Sequence, residues 1–348
     1  MKKNRRFLGA SVVLALLPVM AQADVTVYGK IHMSADAVDI GAGGGHGVSS
    51  NSSRVGFKGK EDLNYGLKAI WKIENELDIS SKSSAFGSRD RYLGLNYGKS
   101  TLVGGYFNTP FKTMGGKSDA FDDTIADHRG LMGMDYVSVD KDGKTVYSKF
   151  DDRAPDAVMY INNSVKNLEF RLMRSAGSPH ASAGDKTPIT STSVMYTTSQ
   201  FLVGGAYEAK EAERTSGLRV IGGVAFGATR ITGIYEQLDF GDSDARPGWD
   251  RSAMGINAVH QMGATTFKVQ ARIANDLDSQ TDSGAKMYVA GVSHKLAKPF
   301  EVYGMVVQLE NDKNAMYTLA GSGHGDKYRP SGAGVTMTGV SFGGVYKF

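Results

Sequence analysis

The chain has no cysteine and only 8 prolines in 348 residues, and after its first twenty-odd residues it has no long apolar run. Without cysteine there can be no disulfide and no thiolate metal centre. Stability must then come from burial and hydrogen bonding, which at this length points to one large architecture. A helix that crosses a bilayer needs about twenty apolar residues, and no internal segment supplies them. No 3.6-residue period is sustained either, so a helical protein is excluded. The seven histidines show no HExxH or other paired zinc spacing, and no nucleophile motif is recognisable. Gly41 to Gly47 is glycine-rich but does not join a strand to a helix, so it reads as a loop and not as a phosphate cradle. Asp140 to Lys144 matches only a fragment of a calcium loop and reads as a turn. No cofactor and no metal is implied.

Excess charge is also missing once the N-terminus is set aside. Lys2, Lys3, Arg5 and Arg6 precede an apolar run from Phe7 to Met20 and the small-residue site Ala21-Gln22-Ala23. This pattern reads as a secretory signal peptide over residues 1–23, with Asp24 the first mature residue. Those four bases carry the whole formal net charge of +4; without them 36 bases remain of the 40, against 36 acids. A neutral mature chain has no basic excess to bind nucleic acid.

What the sequence does have is a period of two. Val25, Val27, Gly29, Ile31, Met33 and Ala35 alternate with Thr26, Tyr28, Lys30, His32, Ser34 and Asp36, as in a strand with one apolar and one polar face. Similar stretches of about ten residues recur along the chain. Short connections fall near 62–66, 97–101, 163–167, 198–200, 227–229, 262–264 and 297–299. Longer ones fall near 39–53, 80–88, 108–153, 177–190, 209–216, 241–250, 275–283 and 311–332. Fifteen connections imply about 16 strands, with short turns at one end and long loops at the other. That is the pattern of an all-β transmembrane antiparallel β-barrel, here a single domain over 24–348. A soluble β-sandwich also alternates, so the last strand matters: Val340, Phe342, Tyr346 and Phe348 share one face, and aromatic rings at a strand end suit a membrane interface.

The connection over 108–153 stands apart by its length. It opens with Thr109-Pro110, read here as a turn signal. It carries Asp119, Asp122, Asp123, Asp127 and Asp135 together with the apolar anchors Phe111, Met114, Phe121, Ile125, Leu131, Met132 and Met134. A connection this long with its own apolar residues is expected to be functional and ordered; we read it as a loop folded into a pore.

Several stretches, in order through the mature chain, resemble the general-diffusion porins of Gram-negative outer membranes, of the neisserial and β-proteobacterial type. They are Val25 to Ile31, Ser53 to Leu63, Gly66 to Glu74, Arg91 to Leu95, Asn108 to Lys112, Arg153 to Tyr160 and Gly344 to Phe348. The resemblance implies a homotrimer of sixteen-stranded barrels, each with its third external loop folded into the lumen as the constriction. It further implies an outer-membrane location among lipids and lipopolysaccharide, and a C-terminal strand read by the barrel assembly machinery. In that family wall arginines face loop acids. The matching positions are Arg54, Arg89 and Arg153 on the wall, with Lys112, Asp119, Asp122, Asp123 and Asp127 on the loop.

Alternation turns Arg54 inward beside Val55 and Phe57, but the parity that takes Arg89 inward also takes Arg91, Leu93 and Leu95 there. Either the period breaks at this point or the outer face is not simply lipid. Lys58, Lys68, Lys72, Lys268 and Arg272 are expected on the lumen wall. With Lys30, Lys60, Arg171 and Lys286 they outnumber Asp36, Glu74, Glu76, Glu169 and Glu301 on the polar faces, which implies a weak preference for anions. The expected function is passive diffusion of ions and small hydrophilic solutes. A barrel enzyme of lipase or protease type would need a Ser/His/Asp-like constellation, and an adhesin would need aromatic external loops, whereas these are mostly Gly, Ser and acidic.

Overall fold

The computed structural model describes residues 24–81, 86–133, 136–139, 145–148, 150–176, 188–211, 214–241 and 248–348. The signal peptide read over 1–23, the turn read at 140–144, and Met134 and Asp135 lie outside the described residues. The strands in chain order are β1 (Asp24–Asp39), β2 (Gly44–Ser50), β3 (Arg54–Asp62), β4 (Leu67–Glu76), β5 (Gly87–Tyr97), β6 (Ser100–Asn108), β7 (Tyr136–Val139), β8 (Thr145–Ser148), β9 (Arg153–Asn162) and β10 (Leu168–Ser175). They continue as β11 (Ile189–Thr197), β12 (Phe201–Lys210), β13 (Thr215–Phe226), β14 (Thr229–Asp239), β15 (Arg251–Met262), β16 (Thr265–Ala274), β17 (Ala285–Ala297), β18 (Phe300–Asn311) and β19 (Thr336–Lys347). A short helix, α1 (Pro110–Gly116), follows β6. No helix among the described residues is long and apolar enough to cross a membrane.

Every pairing is antiparallel, and the sheet closes where Lys30 to Asp39 of β1 pair with Thr338 to Lys347 of β19. The other edge of β1 pairs with β2 along one half and β3 along the other, so β2 and β3 are one strand interrupted at 51–53. With β7 and β8 forming a separate hairpin, sixteen strands make the barrel. All seven short turns lie where the sequence places them. One long connection does not: the chain reverses within Ile40 to Gly43 and returns as β2, so most of 39–53, including Gly44 to Gly47, is strand and not loop. Glycine and serine hide the strand because they have little β preference of their own.

The two faces differ as lipid and water require. Val27, Phe57, Leu93, Leu102, Val158, Leu172, Val203, Val220, Ile256, Val269, Val306 and Phe342 are all exposed on the outer face. Rings gather near the short turns (Tyr97, Tyr196, Phe201, Phe226, Tyr346 and Phe348), and Tyr207, Tyr235 and Tyr288 sit toward the opposite strand ends, as two interfacial girdles would. Lys286 shares this outer face with Tyr288, against the expectation that it lines the lumen.

On β5 the period does break. Ile73 pairs with Arg91 and Asn75 with Ser88, so Arg89 and Asp90 together oppose Glu74 in a β-bulge. Arg89 and Asp90 both reach the inner face, while Arg91, Leu93 and Leu95 stay on the outer one. This answers the parity conflict at Arg89.

The largest apolar cluster forms where the segment after β6 meets the inner face of the wall. Phe111, Met114, Phe121, Ile125, Leu131, Met132 and Phe150 are buried against Ile221, Ile234, Leu238, Met287, Met305 and Leu309. Thr109-Pro110 is a helix start and not a turn: the Thr109 hydroxyl accepts from Lys112 N at 3.1 Å, and proline fills the first helical position.

A second register shift lies on β6 and β9, where Gly105 adopts φ +151°. A β-carbon there would overlap the Arg91 carbonyl oxygen and lie 2.9 Å from Tyr92 Cα, neither of which can rotate away. Gly105→Ala is expected to destabilise the barrel by about 1–3 kcal/mol, read as an earlier midpoint of urea unfolding in detergent micelles. An unchanged midpoint would mean the bulge relaxes freely.

Candidate functional site

On the inner face of β3, β4, β5 and β9 the four bases Arg54, Lys72, Arg89 and Arg153 interleave with Glu74, Glu76 and Asp90. Glu74 is the hub. It accepts from Arg89 Nε at 2.6 Å and Tyr28 Oη at 2.8 Å, with Lys72 Nζ at 3.4 Å and Arg54 Nε at 3.9 Å. Arg89 also reaches Glu76 at 3.0 Å, and Asp90 joins Lys72 (3.0 Å) to Arg153 (2.9 Å). Every long side chain in this ladder has a partner that fixes its direction, so the guanidinium heads are held in place and not free to fold back on the wall.

The loop segment faces this ladder across a cavity of about 300 Å³ bordered by Arg54, Arg89, Arg153, Lys112, Asp122 and Asp123. Those six sequence-derived residues therefore come together. Asp119 and Asp127 do not border the cavity. Asp119 is fully buried and accepts from His128 Nδ1 (2.8 Å) and His128 N (2.9 Å), with Arg272 at 3.8 Å. Asp127 caps the turn His128–Gly130 by accepting from Arg129 N at 2.9 Å, and also pairs with the Arg129 side chain. Asp123 accepts from Lys30 Nζ at 2.6 Å and Arg129 Nη2 at 3.1 Å. Burial alone would raise its pKa, but Lys30, Arg129 and Arg54 hold it well below the usual carboxylate range. Burial has the opposite effect on Lys112, whose pKa it brings down to about 8.

A second set of arginines meets the loop, and of these the sequence singles out only Arg272, on the lumen wall. Buried irregular backbone needs partners for its carbonyls, and wall side chains supply them. Arg219 Nη1 donates to Phe111 O, Arg272 Nη2 and Asn257 Nδ2 to Ser118 O, and Arg251 Nη2 to Leu131 O, at 2.6–3.2 Å. Arg219 is further held by Asp151 (2.5 and 2.7 Å) and by Glu236. Arg272, expected on the lumen wall, donates from there to the loop. Parity could have placed Arg219 inward between the outward Leu218 and Val220, but nothing local marks it as a loop anchor.

The remaining wall lysines divide. Lys72 belongs to the ladder, and Lys58 lies 5.3 Å from the Tyr28 ring centroid. Lys68 pairs with Asp62 beside a short turn. Lys268 borders a second cavity of about 410 Å³ with Lys30, Arg54, Lys295, Lys298 and Lys347.

A closed sixteen-stranded sheet with an apolar outer belt and a charged inner face is a transmembrane β-barrel. The sequence profile of the Gram-negative porins matches residues 10–314, and the chain belongs to that family. Fold and family place it in the Gram-negative outer membrane. The chain is 39% identical over 116 residues to the major outer membrane protein P.IB of Neisseria meningitidis serogroup B, a match that covers 30% of this chain and 34% of that protein. To the P.IB protein of Neisseria gonorrhoeae it is 34% identical over 121 residues, covering 32% and 35%. The chain thus spans about a third of the length of the curated relatives it matches. Among solved structures, the anion-selective porin from Comamonas acidovorans superposes with a TM-score of 0.75 at 20% identity, covering 94% of this chain and 100% of that one. The trimer form of OmpT from Vibrio cholerae gives 0.68 at 14%, covering 94% and 99%. At these identities the likeness shows the fold alone.

His128 lies between two carboxylates, 2.8 Å from Asp119 and 3.5 Å from Asp151. Burial disfavours its charged form, but the two acids outweigh burial and push it up to about 9. With the folded pKa above the unfolded value of about 6.5, its contribution is fully present below pH 6.5 and lost as pH rises through 9. The stability difference between wild type and His128→Gln is expected to shrink by about 3 kcal/mol between pH 6 and pH 10, measured by urea unfolding at each pH. A difference independent of pH would show that His128 is neutral in the folded protein.

Proposed function

We propose that the barrel is a water-filled channel for passive diffusion of ions and small hydrophilic solutes, working as a homotrimer. Its constriction is the space between the Arg54, Arg89 and Arg153 wall and the loop residues Lys112, Asp122 and Asp123. The observation that carries this reading is the fixed basic ladder across a polar cavity from the loop. Opposed charges there orient dipolar solutes and penalise apolar ones, and low-dielectric walls strengthen the effect.

The sign of the selectivity follows from the balance of charge. In the cavity toward the short turns, Lys30 and Asp123 pair with each other and Asp119 is held by His128, which leaves Arg54, Lys268, Lys295, Lys298 and Lys347 facing Asp122 and Glu301. A weak anion preference results, in accord with the description of the Comamonas acidovorans protein as anion-selective. A hydrolase is disfavoured by geometry: in the Ser34, His324 and Asp36 cluster both oxygens approach the same ring nitrogen, at 3.4 and 3.0 Å, whereas a triad uses opposite nitrogens.

Planar bilayers with a salt gradient test the reading. Ohmic steps grouped in threes and a reversal potential of anion sign are expected, with the anion preference lowered in Arg54→Ser/Arg89→Ser/Arg153→Ser. Removing the loop should raise conductance. Folded, inserted protein that carries no current would refute the channel, and a cation-signed potential would refute the charge assignment.

A further inference from the structure

The loop's aspartates would by themselves make their side of the passage strongly negative, and one residue of the loop prevents this. Arg129 Nη2 lies 3.1 Å from Asp122 and 3.1 Å from Asp123, and its guanidinium also pairs closely with Asp127, with Nε at 2.7 Å. Arg129 borders the same cavity as the wall arginines. Of the three carboxylates only Asp122 is substantially exposed, with half of its side chain accessible; Asp123 is shared with Lys30.

The position of Arg129 is imposed by a different part of the chain. Between β18 and β19 the segment 319–326 descends onto the loop. Ala320 N donates to Ile125 O at 2.7 Å, Ser52 Oγ to Gly323 O at 3.0 Å and Gly325 N to Asn51 Oδ1 at 3.2 Å. His324 Nε2 lies 3.0 Å from Asp36 on β1. The interruption of the second barrel strand at 51–53 therefore serves as a seat for this segment. Two glycines lie where the segment meets the arginine, and at Gly321 the neighbour is backbone that cannot move aside. A β-carbon at Gly321 would lie 2.7 Å from Arg129 Cβ and 2.8 Å from Gly130 N. One at Gly323 would overlap the Arg129 guanidinium and the Asp123 carboxylate and lie 2.7 Å from Asp127 Oδ2.

We propose that Arg129, pressed onto Asp122, Asp123 and Asp127 by the 319–326 segment, determines the ion selectivity of the passage. The inference rests on the channel reading. With the arginine in place the loop acids are largely neutralised and the surplus of wall bases decides the sign. Without it Asp122 loses its cation and Asp127 keeps only His128, at 3.6 Å, and the loop side attracts cations into the narrow space.

The test is the reversal potential in a potassium chloride gradient for wild type, Arg129→Gln, Arg129→Lys and Asp122→Asn. Arg129→Gln is expected to shift the anion-to-cation permeability ratio toward cations by about threefold or more. Arg129→Lys should stay near wild type, which a purely steric role would not predict, and Asp122→Asn should shift the ratio toward anions. An open Arg129→Gln channel with the wild-type ratio overturns the proposal. If Arg129→Gln does not fold, Asp122→Asn decides alone, and an unchanged ratio there overturns it equally. A wild-type protein without conductance would instead defeat the channel reading itself.

Discussion

A wall in contact with hydrocarbon must pair every backbone N–H and C=O internally, because no water is available to do so. For strands the only complete solution is a closed sheet, and in this protein it is reached by pairing β1 with β19 over ten residues. Much else follows from that closure. The last strand must end in residues that can sit at an interface, which Tyr346 and Phe348 do. The first strand must reach two partners on its other edge, which it does through β2 and β3. Long connections are tolerated only at the rim or where they find partners inside.

The segment after β6 is bonded to side chains of the wall. Its carbonyls are served by Arg219, Arg251 and Arg272, whose own charges are balanced by Asp151, Glu236 and Asp119. Removing one partner of a buried pair leaves an uncompensated charge, which is far more damaging than removing both. The wall behind the loop is therefore committed to holding it. The wall across the cavity instead has its arginines tied sideways to Glu74, Glu76 and Asp90. This division of the barrel into a holding side and a facing side is the basis of the proposed function.

Strands and short turns were legible because alternation is local: each side chain's face follows from its neighbour two residues away. The seven short turns and the boundaries of the 108–153 connection are read correctly on that basis. Alternation fails where the count slips, as at the Arg89 and Asp90 bulge, and where residues carry little β signal, as at Gly44 to Ser50. Lys286 shows a third failure, a rim charge on the outer face among residues whose polarity suggests the lumen. The pairing of Asp119 with His128 and of Asp127 with Arg129 was beyond sequence because both depend on how the loop folds back on itself, and that of Asp119 with Arg272 because it depends on where the loop meets β16. Arg129 itself is an ordinary loop base until segment 319–326, nearly two hundred residues later, is laid over it.

The absence of cysteine makes a direct measurement possible, since any thiol introduced is the only one. Asp122→Cys and Arg153→Cys, on the two sides of the proposed passage, would be treated with a charged thiol reagent during bilayer recording, with Val306→Cys on the outer face as reference. Current is expected to fall stepwise in the first two and to stay unchanged in the third. Current unaffected by modification at both Asp122→Cys and Arg153→Cys would contradict this, because the conducting path would then not run between the loop and the arginine wall.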